Sequence, residues 1–236
     1  MNIKITVLFP ELLNMFGDKG NILCLKKRLE WRGVDVTVNN VGIDSSLDLD
    51  DTDILYLGGG GENETLNALA KLMPYKKELK AYVENEGVLL ATCSGFEISG
   101  ESFEIKGEKK SGLGIFSINS KQDKERISSD IIIESDFGVI CGFENHLGRM
   151  DIGNNQPLGK VKYGSGNNGE DGYEGVIYKN AFGTYMDGPV LPKNPQFCDE
   201  LIKRALICKG ESGEVKKLDD SVELTAQKYI IDKYSI

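Results

Sequence analysis

Gly87-Val88-Leu89-Leu90-Ala91-Thr92-Cys93-Ser94-Gly95 is the stretch whose reading decides the fold. Val88 to Ala91 is an uninterrupted apolar run, short enough for a strand buried on both faces. Cys93 follows it almost directly, with Ala91 and Gly95 two residues to either side. Small residues at that spacing let a chain turn sharply from strand into helix and push the central side chain outward.

The same grammar repeats toward the N-terminus. Asp53 to Leu57 is a second short apolar run, broken by Gly58-Gly59-Gly60-Gly61, and Ile3 to Phe9 is a third, ended by Pro10. Between them, Asn21 to Trp31 sets Ile22, Leu23, Leu25 and Leu29 at helical spacing, with Lys26, Lys27, Arg28 and Arg32 on the other face. Gly33 is placed to cap that helix, and Val34 to Val41 alternates as a strand does. Glu62 to Glu84 reads as helix. Strand–helix–strand, twice over, predicts an α/β fold: a mostly parallel sheet flanked by helices, with flavodoxin-like layering.

The second half follows another pattern. Strands near Ile115, Ile131–Ile133 and Val176–Tyr178 are separated by polar, Gly-rich turns. They are expected to extend the same sheet or to form an antiparallel flap. Phe197 to Cys208 and Leu224 to Lys233 read as helices on either side of a charged break near Gly210–Glu214. The expected division is a domain over residues 1–208 and a helical extension over 209–236 packed on it. Leu224, Tyr229, Ile230 and Ile231 give that extension an apolar side for ordinary core packing.

Composition bounds the partners. The 236 residues hold 28 Lys+Arg and 37 Asp+Glu, a net charge of −9. That balance argues against nucleic acid or an anionic membrane surface. A single histidine, His146, excludes His-rich zinc sites and chemistry needing two imidazoles. Five cysteines, Cys24, Cys93, Cys141, Cys198 and Cys208, show no C-x-x-C spacing and suit reduced cytoplasmic thiols. Met1 to Ile5 reads as a strand, not a signal peptide. No apolar run approaches the roughly 18 residues of a membrane span. A soluble cytoplasmic protein without membrane insertion, metal or cofactor is the expectation.

Four elements are candidates for chemistry. A thiol at Cys93 would stand at a helix N-terminus, where the dipole favours thiolate; the alternative is a buried structural cysteine. Gly58–Gly61 frees backbone N–H groups to face an anion or oxyanion; the alternative is a flexible turn. It is neither G-x-G-x-x-G nor followed by Lys-Ser/Thr. Both elements would lie beyond the carboxyl ends of strands, where open α/β sheets bind ligands. Gly164 to Gly172 reads as a polar hairpin turn, because its spacing is not that of a calcium loop. His146 is either a base for Cys93 or a structural histidine in a turn.

Taken together, these residues resemble the class I glutamine amidotransferase-like family, and within it the GatD type, the glutaminase subunits of lipid II isoglutaminyl synthases, related to the amidotransferase domain of cobyric acid synthase. The marks are Gly17-Asp18-Lys19-Gly20-Asn21, Leu57-Gly58-Gly59-Gly60, Leu90-Ala91-Thr92-Cys93, Gly142-Phe143-Glu144-Asn145-His146, Gly166 to Asp171, and Gly183-Thr184-Tyr185 running to Gly188-Pro189-Val190-Leu191-Pro192-Lys193-Asn194. They span nearly the whole chain. The resemblance implies hydrolysis of glutamine to glutamate and ammonia through a glutamyl thioester on Cys93. It also implies an oxyanion hole from Gly59, Gly60 and Ser94, and Arg126 on the substrate carboxylate. It implies a heterodimer with a Mur ligase-like, ATP-dependent subunit that amidates the peptidoglycan stem peptide.

The chain departs from the family pattern at one place. Asp187-Gly188-Pro189 stands where the family has His-Gly-Pro, and Cys93-Ser94-Gly95-Phe96-Glu97 where it has Cys-Gly-Gly-Tyr-Gln. An Asp at its usual pKa of roughly 4 is a poor acceptor for a thiol proton, and as a carboxylate it raises the thiol pKa. Glu97 adds a second negative charge, useful to a substrate only if it pairs with an amino group. Three readings follow: a working amidotransferase subunit, a non-catalytic pseudo-glutaminase that binds its partner, or a thiol enzyme with another substrate.

Overall fold

The computed structural model describes residues 1–236. The strands are β1 (Asn2–Leu8), β2 (Asp35–Val41), β3 (Ile54–Leu57), β4 (Val88–Thr92), β5 (Ser102–Ile105), β6 (Glu108–Ser111), β7 (Asn119–Ser135), β8 (Gly138–Asp151), β9 (Gly159–Tyr163), β10 (Tyr173–Glu174), β11 (Val176–Tyr178), β12 (Ala181–Thr184) and β13 (Met186–Asp187). The helices are α1 (Lys19–Glu30), α2 (Glu62–Leu72), α3 (Lys76–Glu84), α4 (Ser94–Ser99), α5 (Pro195–Cys208) and α6 (Ser221–Lys233).

The apolar runs build the first sheet, in the order β11-β12-β4-β3-β1-β2. Every pairing in it is parallel except β11 with β12. Every residue of β3 and β4 is buried, as continuous apolar runs covered on both faces require. Alternation sends Leu55, Leu57, Leu89 and Ala91 into one core and Ile54, Tyr56, Val88 and Leu90 into the other. The first core also takes Leu72, Leu79 and Phe96 from α2, α3 and α4; the second takes Leu25 and Leu29 from α1 and Phe197 and Leu201 from α5.

The second half does both things expected of it. β11 and β12 extend the parallel sheet, while a second sheet forms around the long antiparallel pair β7–β8. That pair slips register between Gln122 and Ile127, the stretch that contains Arg126. Gly164–Gly172 links β9 to β10 as a polar turn, its Asn168 side chain accepting from the Glu170 and Asp171 amides.

Several local expectations need correction. The stretch Glu62–Glu84 is two helices, separated at Met73–Tyr75, where Pro74 cannot continue the first. Ile115 is not in a strand. It is buried in a loop whose amides bond back to Ile98 and Ser99 at the end of α4. Arg28 does not lie on a solvated face: it is 2% exposed, while Leu23 is 56% exposed. Arg28 faces α5, its Nε and Nη2 meeting Asp199 at 2.8 and 2.7 Å and its Nη1 meeting Asp220 at 2.6 Å, whereas Lys26 and Lys27 pair with Glu30 of their own helix.

The apolar side of α6 is not core either: Leu224 is 49% and Tyr229 74% exposed. Polar contacts hold this helix instead. Gln227 Nε2 donates to Val139 O at 2.9 Å and Asn194 Oδ1 at 3.0 Å, and the Tyr234 ring just beyond stacks on Tyr163. No helix is long and apolar enough to cross a membrane.

Candidate active site

Cys93 caps α4 with φ +52° and ψ −122°, a conformation L-residues rarely adopt. Its own amide donates to Thr184 O of the neighbouring strand at 2.9 Å, fixing the turn to the sheet. The turn is possible because Gly95 has no side chain: a β-carbon there would lie 2.5 Å from Gly58 O. Strain of this kind persists only where the surroundings over-determine it, and it clusters at functional sites. The sharp strand-to-helix elbow expected from the small residues around Cys93 is thus present in the backbone.

The sulfur faces a pocket of about 160 Å³ lined by Gly60, Ser94, Glu97, Arg126 and His146 among others. Arg126 reaches it from the irregular stretch of β7, its Nη1 resting 3.2 Å from Asn145 O and Oδ1. A planar guanidinium at a pocket mouth is apt for a carboxylate. Glu97, one turn into α4, accepts from Tyr185 Oη at 2.8 Å and Ser120 Oγ at 3.4 Å. Burial nevertheless pushes its carboxyl up to about 7.

Asp187 ends β13 beside the Cys93 thiol and is 8% exposed. Apart from the Cys93 thiol, no donor faces either of its oxygens. Burial, and the charge of Asp18, push it up to about 7. Burial likewise drives the Cys93 thiol well above its usual range, reinforced by Asp187 and Glu97; the Ser94 amide facing the sulfur only partly opposes this. The resting site therefore holds a neutral thiol.

The Gly run is where the sequence places it, but its amides are engaged. Gly59 N–H points at Asp18 Oδ1 at 3.4 Å, and Gly60 N–H donates to Ser94 Oγ at 3.0 Å. Thr65 Oγ1 donates to the same Ser94 oxygen at 2.8 Å. An oxyanion would have to share or displace the Ser94 hydroxyl to reach Gly60.

His146 lines the same pocket from β8, in a strand rather than a turn. Its ring stacks on Tyr185 with centroids 3.9 Å apart, and Nδ1 lies 2.8 Å from Gly148 O. Burial holds it down to about 4, so it is neutral at pH 7.

Three supporting residues are not singled out by the sequence, although two lie inside motifs that are. Asp18, in Gly17–Asn21, accepts from Tyr56 Oη at 2.6 Å and Thr92 Oγ1 at 3.0 Å beneath the Gly run. Tyr185, in Gly183–Tyr185, holds Glu97 and His146 in place. Glu174 carries no signal at all. Fully buried, it accepts from Thr184 Oγ1 at 2.7 Å and Tyr185 N at 2.8 Å, and so fixes the strand end on which Cys93 hangs.

Comparisons with known proteins give the family of the chain. Residues 4–195 match the CobB/CobQ-like glutamine amidotransferase domain. The chain is 39% identical to the GatD subunit of lipid II isoglutaminyl synthase (glutamine-hydrolyzing) of Staphylococcus aureus strain N315, over 94% of this chain and 92% of that one. It is also 39% identical to the subunit of the same name from Streptococcus pneumoniae strain R6, over 99% and 90% of the two chains. Among solved structures, a glutamine amidotransferase superposes with a TM-score of 0.55 at 15% identity, covering 85% of this chain and 98% of that one, which speaks to the fold alone. On the family match and the two full-length relatives, the chain belongs to the CobB/CobQ-like glutamine amidotransferases.

Proposed function

We propose that this chain is the glutamine-hydrolysing subunit of a cytoplasmic synthase that amidates a lipid-linked peptidoglycan precursor. Its partner would be a Mur ligase-like, ATP-dependent subunit. The observation that carries the reading is the strained elbow at Cys93, with its thiol beside the Asp187 carboxyl and above a pocket reached by Arg126. Arg126 takes the substrate α-carboxylate, and Glu97 the α-ammonium.

In this reading Asp187 does the work that the family gives to a histidine. Its carboxylate accepts the thiol proton as sulfur bonds to the side-chain amide carbon. The same proton then passes to nitrogen as the C–N bond breaks. Ammonia leaves, and water cleaves the glutamyl thioester to free glutamate. A carboxyl raised to about 7 is far better matched to this task than one near 4. It remains a weaker acceptor than the raised thiol requires, so slow turnover is expected.

A second reading has its own support: the resting thiol is neutral and the Gly60 amide is held by Ser94. Under it the chain is a non-catalytic partner of the ligase. Glutamate release from glutamine, with and without the ligase subunit, separates the two. Release abolished by Cys93→Ala supports the enzyme. No release from the natural chain, but release from Asp187→His, assigns the non-catalytic role.

A further inference from the structure

We propose that Cys24 and Cys198 form a reversible disulfide that staples α1 to α5 when the protein meets hydrogen peroxide. Cys24 lies on α1 and Cys198 on α5. Their sulfurs are 3.7 Å apart, with Cys24 donating to Cys198. Of the five cysteines, these are the two whose sulfurs meet. Cys208 is exposed, but its sulfur donates to Glu86 O at 3.0 Å and faces no second thiol.

The contact exists because the two helices pack together. Leu25 and Leu29 of α1 share a core with Phe197 and Leu201 of α5. The ion pair of Arg28 with Asp199 lies beside it, one helical turn along α1 and one residue along α5. The thiols are thus held against each other from both sides. A disulfide needs the sulfurs to close to about 2.0 Å, a small approach from where they rest.

The two thiols have unequal roles. Cys24 is half-buried, so a small oxidant reaches it, whereas Cys198 is 0% exposed. Burial and the neighbouring Cys24 keep Cys198 a neutral thiol, which the charge of Arg28 only partly opposes. Oxidation therefore begins at Cys24, and Cys198 resolves it.

The Cys24 sulfur attacks one oxygen of the peroxide. The O–O bond breaks, hydroxide leaves and takes up the thiol proton as water, and Cys24 becomes a sulfenic acid. The Cys198 sulfur then attacks the Cys24 sulfur. The S–S bond forms, the S–O bond breaks, and the departing hydroxide takes the Cys198 proton as water. Two thiols and one peroxide give one disulfide and two waters, the sulfurs losing the two electrons that the peroxide gains. A dithiol reverses the bond by exchange. Reversible disulfides are the kind a reducing cytoplasm permits. Cys93 takes no part, so the staple is independent of whether the chain releases glutamate.

The test treats the full folded chain with hydrogen peroxide at neutral pH, blocks free thiols and digests with trypsin. The expected product joins the peptides Gly20–Lys26 and Asn194–Lys203 of one chain, and dithiothreitol separates them. In Cys24→Ser, Cys198 should stay a free thiol. In Cys198→Ala, Cys24 should stop at the sulfenic acid and be trapped by dimedone. Cys24→Ser alters only a half-buried site, so the comparison survives if the core variant does not fold. A bond closing so long a loop restricts the unfolded chain. The linked natural chain should melt about 5 °C above the same chain reduced, a gain absent from Cys24→Ser treated alike. No linked peptide, a link only between two chains, a link that forms only in urea, or no gain in melting temperature would overturn the proposal.

Discussion

A β-carbon added to Gly59 would lie 2.7 Å from the β-carbon of Cys93 and 3.2 Å from its sulfur. The loop after β3 is thus the wall against which the thiol is seated. Cys93 cannot retreat, because its positive φ is fixed by the bond from its amide to Thr184. The two motifs that stand out in the sequence, the Gly run and the Ala-Thr-Cys-Ser-Gly elbow, are therefore one packed unit.

Gly59→Ala tests that unit. Gly59 is not in the positive-φ region, so its backbone accepts alanine and the cost is steric. Overpacking of this kind costs about 1–3 kcal/mol. The variant should lower the urea midpoint and change the rate of Cys93 alkylation. An unchanged midpoint with an unchanged rate would contradict the packing described.

His146 is expected to be silent in the chemistry of the thiol. As the only histidine, it gives one assignable imidazole signal. With its pKa held down to about 4, that signal should not move between pH 8 and pH 5.5. An unfolded histidine protonates near 6.5, so His146 favours unfolding as pH falls from there toward 4. A titration midpoint near 6.5 in the folded chain would mean that the ring is solvated and free to serve as a base.

The buried guanidinium of Arg28 joins α1 to α5 and to the N-terminus of α6 through Asp199 and Asp220. Arg28→Ala leaves Asp220 without its arginine and Asp199 with Arg32 alone, and each carboxylate keeps some exposure. Loss of one member of a buried ion cluster costs about 3 kcal/mol. The expected result is a lower denaturation midpoint for Arg28→Ala, with Arg28→Lys intermediate because lysine cannot reproduce the two-pronged contact with Asp199. Equal stability of all three chains would show that the buried cluster adds nothing net to stability.

Much of the molecule is legible in its residues and some is not, for physical reasons. Parallel strands buried on both faces must be apolar throughout, so β3 and β4 announce themselves; the elbow does so because only small residues tolerate it. Helical periodicity misplaces Arg28 because it separates apolar from charged faces, and a charged face can be buried if another helix supplies carboxylates. The antiparallel β7–β8 pair is only partly visible, since Asn119 to Asp130 is polar and half-exposed in the structure. Asp18, Tyr185 and Glu174 support the site through contacts between residues distant in sequence, which no local pattern encodes.

The buried acids predict an unusual pH dependence. Glu97, Asp187 and Glu174 are each pushed by burial up to about 7, against roughly 4 in an unfolded chain. Between those values the folded state binds more protons than the unfolded state, so stability falls as pH rises. The effect is fully favourable below about pH 4 and lost on passing 7. His146 opposes it only between about 4 and 6.5. Glu174→Gln isolates one contribution, because glutamine keeps the acceptor for Thr184 and Tyr185 and mimics the protonated acid. At about pH 4 and below the variant should match the natural chain. At pH 8 it should be the more stable, with a stability–pH slope shallower by up to about 1.4 kcal/mol per pH unit. Urea midpoints at pH 4, 6 and 8 make the comparison. Parallel curves for the two chains would mean that the Glu174 carboxyl does not titrate in this range and contributes nothing to the slope.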